Sequence, residues 1–342
     1  WVEHWDITPI THPNDAHNHL GDSGSLSYIG EETEIAENWS IADYNNPDIL
    51  NPVHYQRAYK TDYEIACLEE ANRLAALGHN AAKSAFEQGL SEFEIQQSYL
   101  AAIAHREKET PYSNIVALNE HCAVLHYQFY EHTRFKTPEL KSMLIDAGAN
   151  YHGYAADVTR TYSAQAGLFQ DLIEAMDEAQ LAIIGDITIG MDYGQLHEKM
   201  HWRLADILQQ FKIVNLAPEA MVETNLTFSF LPHGLGHFLG LQTHDVGGFQ
   251  QSAEGDTKAA PDKYPALRLT RPIENRQVFT IEPGLYFIPM LLKQLRASEH
   301  ATCVAWDKID TLLPFGGIRI EDNIVMVNDQ TVNLTREAFA KR

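Results

Sequence analysis

Positive charge is scarce in this chain: 25 Lys and Arg face 47 Asp and Glu, a formal net charge of −22. No basic face exists to neutralise phosphates, which argues against a nucleic-acid partner. Cysteine is scarcer still. Cys67, Cys122 and Cys303 are odd in number and share no metal-type spacing, so they read as reduced thiols of a cytoplasmic protein. No stretch approaches the roughly 20 apolar residues needed to span a bilayer, so no membrane partner is expected. The chain shows no signal peptide, no low-complexity tract and no repeat of solenoid period. Its first residue is Trp1 and its opening stretch is polar and turn-rich, so we expect it to begin inside a longer protein.

Core-forming residues are plentiful. The hydrophobic fraction is 44%, with 15 Tyr and 14 Phe in 342 residues, enough for one large domain or a domain plus a fragment. Residues 1 to about 50 read as loops, with a short strand near Leu26 to Ile29 and a helix around Ser40. From His54 to Phe86 the pattern is helical, with Tyr63, Cys67, Ala71 and Leu74 on one face. Gly89 suits a C-cap, and Ser91 with Glu94 forms a capping-box signature for a second helix. Leu168, Leu172, Ala179 and Ile183 mark a third helix; Leu196, Met200, Leu204 and Leu208 mark a fourth. Strands are expected at Ile115 to Leu118, Ala123 to Tyr127, Ser142 to Ile145, Val278 to Ile281 and Ile318 to Val327. Elements arrive in blocks instead of strict alternation, which points to α+β.

Four carboxylates and a histidine stand out in or beside apolar runs. They are Asp146 in Leu-Ile-Asp-Ala-Gly, Asp157 in Ala-Asp-Val-Thr-Arg-Thr-Tyr, His237 in Pro-His-Gly-Leu-Gly-His, Glu282 in Thr-Ile-Glu-Pro-Gly and Glu321 in Arg-Ile-Glu-Asp-Asn. Ionised side chains are expensive in such surroundings unless paired. Two divalent metal ions would supply the positive partner, so the pattern points to a dinuclear metal hydrolase. A turn around Asn150 to Gly153 would set Asp146 and Asp157 opposite each other on one face, with Thr159 beside Asp157 as a hydroxyl donor. Taken alone, this hairpin also reads as a solvated turn with two surface aspartates, and Arg319 with Glu321 as a surface ion pair. His233 and His237 do not make a helical zinc motif, because Pro232, Gly234 and Gly236 oppose a helix. In an extended stretch both imidazoles still fall on one side, and His244 follows closely. Oxygen-rich ligation with one imidazole favours Mn²⁺ or Co²⁺ over a thiolate-type zinc site.

These five segments, in this order, resemble the metallopeptidase family that includes prolidase, aminopeptidase P, methionine aminopeptidase and creatinase. Bacterial prolidases and the related organophosphorus acid anhydrolases are the most similar branch. The resemblance runs from about Asn51 to the C-terminus, through His-Tyr-Gln-Arg-Ala-Tyr-Lys-Thr, Thr-Pro-Tyr-Ser-Asn-Ile-Val-Ala-Leu-Asn-Glu and Pro-Phe-Gly-Gly-Ile-Arg-Ile-Glu-Asp-Asn. It implies the pita-bread fold, with pseudo-twofold halves around a curved antiparallel sheet, over residues 51–342. Residues 1–50 would be a remnant of a truncated N-terminal domain and linker.

The resemblance also implies residue roles. Asp157 and Glu321 would bridge two metals, Asp146 would complete one, and His237 with Glu282 the other, Glu282 doubling as proton shuttle. His126, His233 and His244 match substrate-site histidines that hold the scissile carbonyl, assist proton transfer and stabilise the tetrahedral intermediate. Arg268 matches an arginine that binds a dipeptide's C-terminal carboxylate, a bidentate task suited to guanidinium. Arg319 and Tyr112 match further substrate-site positions, though Tyr112 also reads as a core tyrosine. The implied activity is that of a homodimeric Xaa-Pro dipeptidase acting on Xaa-Pro dipeptides. Its cofactors would be two divalent ions, manganese first and cobalt or zinc next. Phosphotriester hydrolysis is an implied side reaction. The alternatives are an aminopeptidase P-like enzyme on longer Xaa-Pro peptides, an inactive fragment and a non-catalytic pita-bread binding protein.

Overall fold

The computed structural model describes residues 3–136 and 139–341. The chain divides into two compact units, Trp1–Gln56 with Ser252–Asp256, and Arg57–Gln251 with Thr257–Arg342. In the first, strands β1 (Ser27–Tyr28) and β2 (Asp43–Tyr44) pair in parallel. Helix α1 (Thr33–Asn38) ends before Ser40, and α2 (Pro47–Arg57) runs to the unit boundary. Asn51 Nδ2 donates to the Glu254 carbonyl at 3.2 Å, tying Ser252–Asp256 to this unit.

The second unit is built from two halves. In the first half, α3 (Asp62–Glu87) and α4 (Glu92–Ile103) cover a three-stranded antiparallel sheet. That sheet has the order β3 (Ile115–Leu118), β4 (Ser142–Asp146), β7 (Thr159–Ser163). Between β4 and β7 the short hairpin β5 (Asn150–Tyr151) and β6 (Tyr154–Ala155) turns at His152 and Gly153. In the second half, α5 (Leu168–Gly185) and α6 (Tyr193–Gln210) share a core with the strands β8 (Val278–Ile281) and β11 (Asp322–Val327). Strand β12 (Gln330–Asn333) completes that antiparallel sheet, and β9 (Gly284–Tyr286) pairs with β10 (Gly317–Arg319). An antiparallel bridge between Thr159 and Glu321 helps stitch the halves together, with the Glu321 N–H donating to the Thr159 carbonyl at 3.0 Å and Arg160 paired with Asp322 at 2.7 Å. The architecture is α+β with pseudo-twofold halves, as the resemblance implies.

Local chemistry explains the first half. Thr61 caps α3, with Glu64 reaching back to the Thr61 N–H at 2.7 Å, and Ser91 with Glu94 caps α4 in the same way. Gly89 ends α3 in the left-handed conformation at φ +71°. The buried face of α3 is rich in small residues, among them Ala71, Ala75, Gly78, Ala82 and Ala85. Small residues let α4 approach closely, and a Cβ on Gly78 would lie 2.5 Å from the Tyr99 ring. Burying Phe86, Ile95 and Ile103 in this contact contributes about 1.5–3 kcal/mol each.

Four sequence expectations need correction. The helical stretch from His54 is two helices, broken at Ala58–Thr61, and Tyr63 is exposed instead of sharing the buried face. The helix expected around Ser40 stops at Asn38, and Ser40 itself has φ 55°. Ala123 to Tyr127 is no strand: a 3-10 helix ends at Ala123 and Val124 is exposed. The strand expected over Ile318 to Val327 is divided at Ile320–Glu321, where the Glu321 backbone turns to pair across the halves.

Candidate metal centre and active site

Strand ends from both halves deliver the five residues to one place. Asp146 closes β4, and Asp157 lies two residues before β7. Glu282 follows β8 directly, and Glu321 sits between β10 and β11. Asp146 is registered with Thr159, so Asp157 lies diagonal to it instead of directly opposed. His237 rides an extended segment along β8: its N–H donates to Thr280 Oγ1 at 3.1 Å, and the Leu239 N–H to the Val278 carbonyl at 3.0 Å. Gly236 is required there, because a Cβ would lie 2.2 Å from the Thr280 carbonyl oxygen.

Asp157, His237 and Glu321, all buried, present ligand atoms within 4.8 Å of one another. His237 Nε2 lies 3.4 Å from Asp157 and 3.5 Å from Glu282. Its Nδ1–H donates to the Phe238 carbonyl at 2.9 Å, which leaves Nε2 as the ligand atom. Glu321 accepts from Thr159 Oγ1 at 2.7 Å. Asp146 accepts from Tyr112 at 2.8 Å and from Arg319 at 2.6 Å.

Four carboxylates gathered away from water resist ionising together. Burial, with Asp157 and Glu282 nearby, pushes Glu321 well above the carboxylate range. Burial lifts Glu282 to about 7. Asp146 is raised by burial against the pull of Arg319. Of the four, Asp157 ends low: burial pushes it up, but His237, Tyr112 and His244 together outweigh burial. Arg319 is the fixed cation among these groups, and one guanidinium does not balance them. An oxygen-rich set with a single imidazole is the donor chemistry of hard or borderline divalent ions, and it fits them here.

Two cavities meet at this centre, sharing His126, Asp146, Asp157 and His244. One, of about 440 Å³, is lined by His233, Phe249, Pro265, Leu267, Arg268 and Arg319. The other, of about 860 Å³, is lined by His105, Lys108, Tyr112, Gln242 and Thr243. His126 and Arg268 are exposed to these spaces, and His244 lies with its ring 4.2 Å from that of His237. Every site residue expected from the sequence therefore lines one cavity or both.

One participant escaped the sequence reading. Tyr286, fully buried at the end of β9, accepts from Arg319 Nη1 at 2.8 Å and lies 3.0 Å from His233 Nε2. His233 Nδ1 is 2.8 Å from the Gly234 carbonyl, so Nδ1 carries the proton and Nε2 accepts from the tyrosine hydroxyl. A continuous chain thus runs Asp146–Arg319–Tyr286–His233. Burial and the Arg319 charge hold His233 neutral, down to about 3. The available signal was Glu-Pro-Gly-Leu-Tyr, in which Tyr286 stands four residues beyond Glu282.

Residues 66–328 match the model of metallopeptidase family M24. A Xaa-Pro dipeptidase from Pseudoalteromonas atlantica is 48% identical over 343 residues, covering 98% of this chain and 77% of its own length. A Xaa-Pro dipeptidase from Pectobacterium carotovorum is 49% identical over 342 residues, with 98% and 77% covered. Among solved structures, zinc-substituted E. coli aminopeptidase P in complex with product superposes with a TM-score of 0.67 at 26% identity, over 87% of this chain and 62% of that one. The chain thus spans about three quarters of the dipeptidases and less than two thirds of the aminopeptidase. With these matches to its sequence and its fold, the chain belongs to metallopeptidase family M24 and has its pita-bread architecture.

Proposed function

We propose that this chain is a Xaa-Pro dipeptidase, hydrolysing the bond before a C-terminal proline. The carrying observation is Arg268 on the same 440 Å³ cavity as Glu282, Glu321 and His237. Its guanidinium is suited to hold the substrate carboxylate bidentately, while Phe249 and Leu267 offer apolar wall to the pyrrolidine ring. The dipeptidase relatives support the same reading.

Asp146, Asp157, His237, Glu282 and Glu321 would hold two divalent ions, of which Mn²⁺ suits the oxygen-rich set best. Bound there, the ions supply Lewis-acid polarisation of the scissile carbonyl and a water nucleophile at neutral pH. Glu282, beside the attacking water, takes its proton and returns it to the departing imide nitrogen. That nitrogen must receive a proton to leave as the neutral amine of proline. His126 and His244, facing both cavities, hold the carbonyl oxygen as charge develops on it. Arg319, fixed by Tyr286, Thr159 and Asp146, keeps the carboxylates in register. Phosphotriester hydrolysis as a side reaction, a homodimer and a cytoplasmic location belong to the same proposal.

The test is proline release from Ala-Pro beside Ala-Pro-Ala, after chelation and again after Mn²⁺ is restored. Metal-dependent cleavage of the dipeptide alone is expected. Cleavage of the tripeptide would favour an aminopeptidase P-like enzyme, and cleavage of neither would sink the dipeptidase reading.

A further inference from the structure

His244 sits on the loop from Phe238 to Asp245, whose Leu241, Gln242 and His244 are exposed. The loop has few bonds of its own: the Asp245 N–H donates to the Phe238 carbonyl at 2.9 Å, and the Gly240 N–H to the Gln242 carbonyl at 3.1 Å. Beneath it lies a buried charge cluster. The Asp245 carboxylate, 2% exposed, meets Arg57 Nη2 at 2.5 Å through Oδ1 and Lys60 Nζ at 3.2 Å through Oδ2. Oδ1 also accepts from the Val246 N–H at 3.0 Å. The Lys60 side chain, 1% exposed, donates in addition to the Arg57 carbonyl. Gly240 lets the loop backbone lie over this cluster, since a Cβ there would be 2.3 Å from Asp245 Oδ2 and 2.9 Å from Lys60 Cε.

Stability alone does not account for such a cluster. A buried ion pair roughly breaks even against its desolvation, and Arg57 already serves the carboxylate. Burial depresses the proton affinity of Lys60, and Asp245 works to restore it. The anchoring of Lys60 is more telling. Its N–H donates to the Arg276 carbonyl at 2.8 Å, and Tyr59 bridges Gln277, the residue that leads into β8. Strand β8 in turn carries Thr280, which bonds His237, and runs into Glu282. The charge cluster therefore ties the His244 loop to the frame that carries two of the proposed metal ligands.

We propose that Lys60 and Asp245 are positioning residues for His244, a buried ammonium–carboxylate clamp that holds the Phe238–Asp245 loop so the imidazole stays against His237. This rests on the reading of His244 as part of the active site. The experiment is a double-mutant cycle: Lys60→Met and Asp245→Asn, each alone and combined with His244→Ala, with kcat and KM measured on Ala-Pro in Mn²⁺. Each single variant should lose kcat by about 10- to 100-fold with KM little changed, the scale of a misplaced catalytic group. In the His244→Ala background the same substitutions should alter kcat less than about twofold. Asp245→Asn strands a buried ammonium and can fail to fold; Lys60→Met leaves Arg57 on Asp245 and keeps the test alive.

Amide hydrogen exchange gives a readout independent of turnover. In Lys60→Met, residues 238–246 should exchange at least about tenfold faster while the α3–α4 core is unchanged. Multiplicative losses in the His244→Ala background, or unchanged exchange in the loop, would overturn the clamp. If the parent chain cleaves no Xaa-Pro dipeptide, the activity reading falls and the exchange result alone decides the clamp.

Discussion

Replacing Tyr286 by Phe removes one oxygen and leaves the buried ring, and it breaks the chain Asp146–Arg319–Tyr286–His233 in the middle. Two partners are orphaned: Arg319 Nη1, which donates to that oxygen at 2.8 Å, and His233 Nε2, which lies 3.0 Å from it. A hydrogen bond to a charged group is worth about 1.5–3 kcal/mol and a neutral one about 0.5–1.5 kcal/mol, so the variant should lose about 2–4 kcal/mol of stability. If about 2 kcal/mol of this is felt at the transition state, kcat/KM falls about 30-fold. Arg319 keeps its bonds to Asp146 at 2.6 Å and to Thr159 at 3.1 Å, so metal uptake should survive. The assay pairs proline release from Ala-Pro with urea unfolding and metal analysis. A variant within twofold of the parent in kcat/KM, with equal metal content, would refute the reasoning that Tyr286 fixes Arg319 and His233 for catalysis.

Three further outcomes follow from the packing and the charges. Gly78→Ala should cost about 1–3 kcal/mol in urea unfolding, because the new Cβ meets the Tyr99 ring at 2.5 Å; a neutral result would contradict the α3–α4 contact. His197, buried in α6, is lowered by burial from 6.5 to about 4, so between those values the unfolded chain binds the extra proton and the folded chain does not. Its contribution is intact above pH 6.5 and drains as pH falls to about 4; unfolding free energies should therefore shift in favour of His197→Gln by up to about 3 kcal/mol over that window. Glu321→Gln should abolish Mn²⁺-dependent turnover yet stabilise the chelator-stripped chain, since burial strongly disfavours the Glu321 carboxylate and the amide oxygen can still accept from Thr159; retained turnover would remove Glu321 from the site.

Much of the frame was readable because it obeys local rules. Helices α5 and α6 followed from apolar spacing, β8 from its Val-Phe-Thr-Ile run, and the start of α4 from Ser91 and Glu94. Errors arose where a distant partner overrides the local pattern. Apolar and aromatic residues at Ala123 to Tyr127 suggested a strand, yet Tyr127 is buried by stacking on His121 and Val124 faces outward. The apolar run through Glu321 suggested one strand, but its backbone leaves to bond Thr159, 162 residues away. The five acidic and imidazole residues were visible because charge in apolar runs is conspicuous in a sequence. Tyr286, Lys60 and Asp245 were not, because a buried tyrosine or a salt bridge across 185 residues leaves no local trace.

Whether these carboxylates and His237 hold a pair of divalent ions decides the chemistry of the whole site. The most direct measurement is calorimetric titration of the chelator-stripped chain with Mn²⁺, repeated on Asp157→Asn. The expected result is uptake of about two ions per chain, as in a dinuclear hydrolase, and loss of that uptake in the variant. No Mn²⁺ binding by the parent chain, or binding that Asp157→Asn leaves intact, would contradict it.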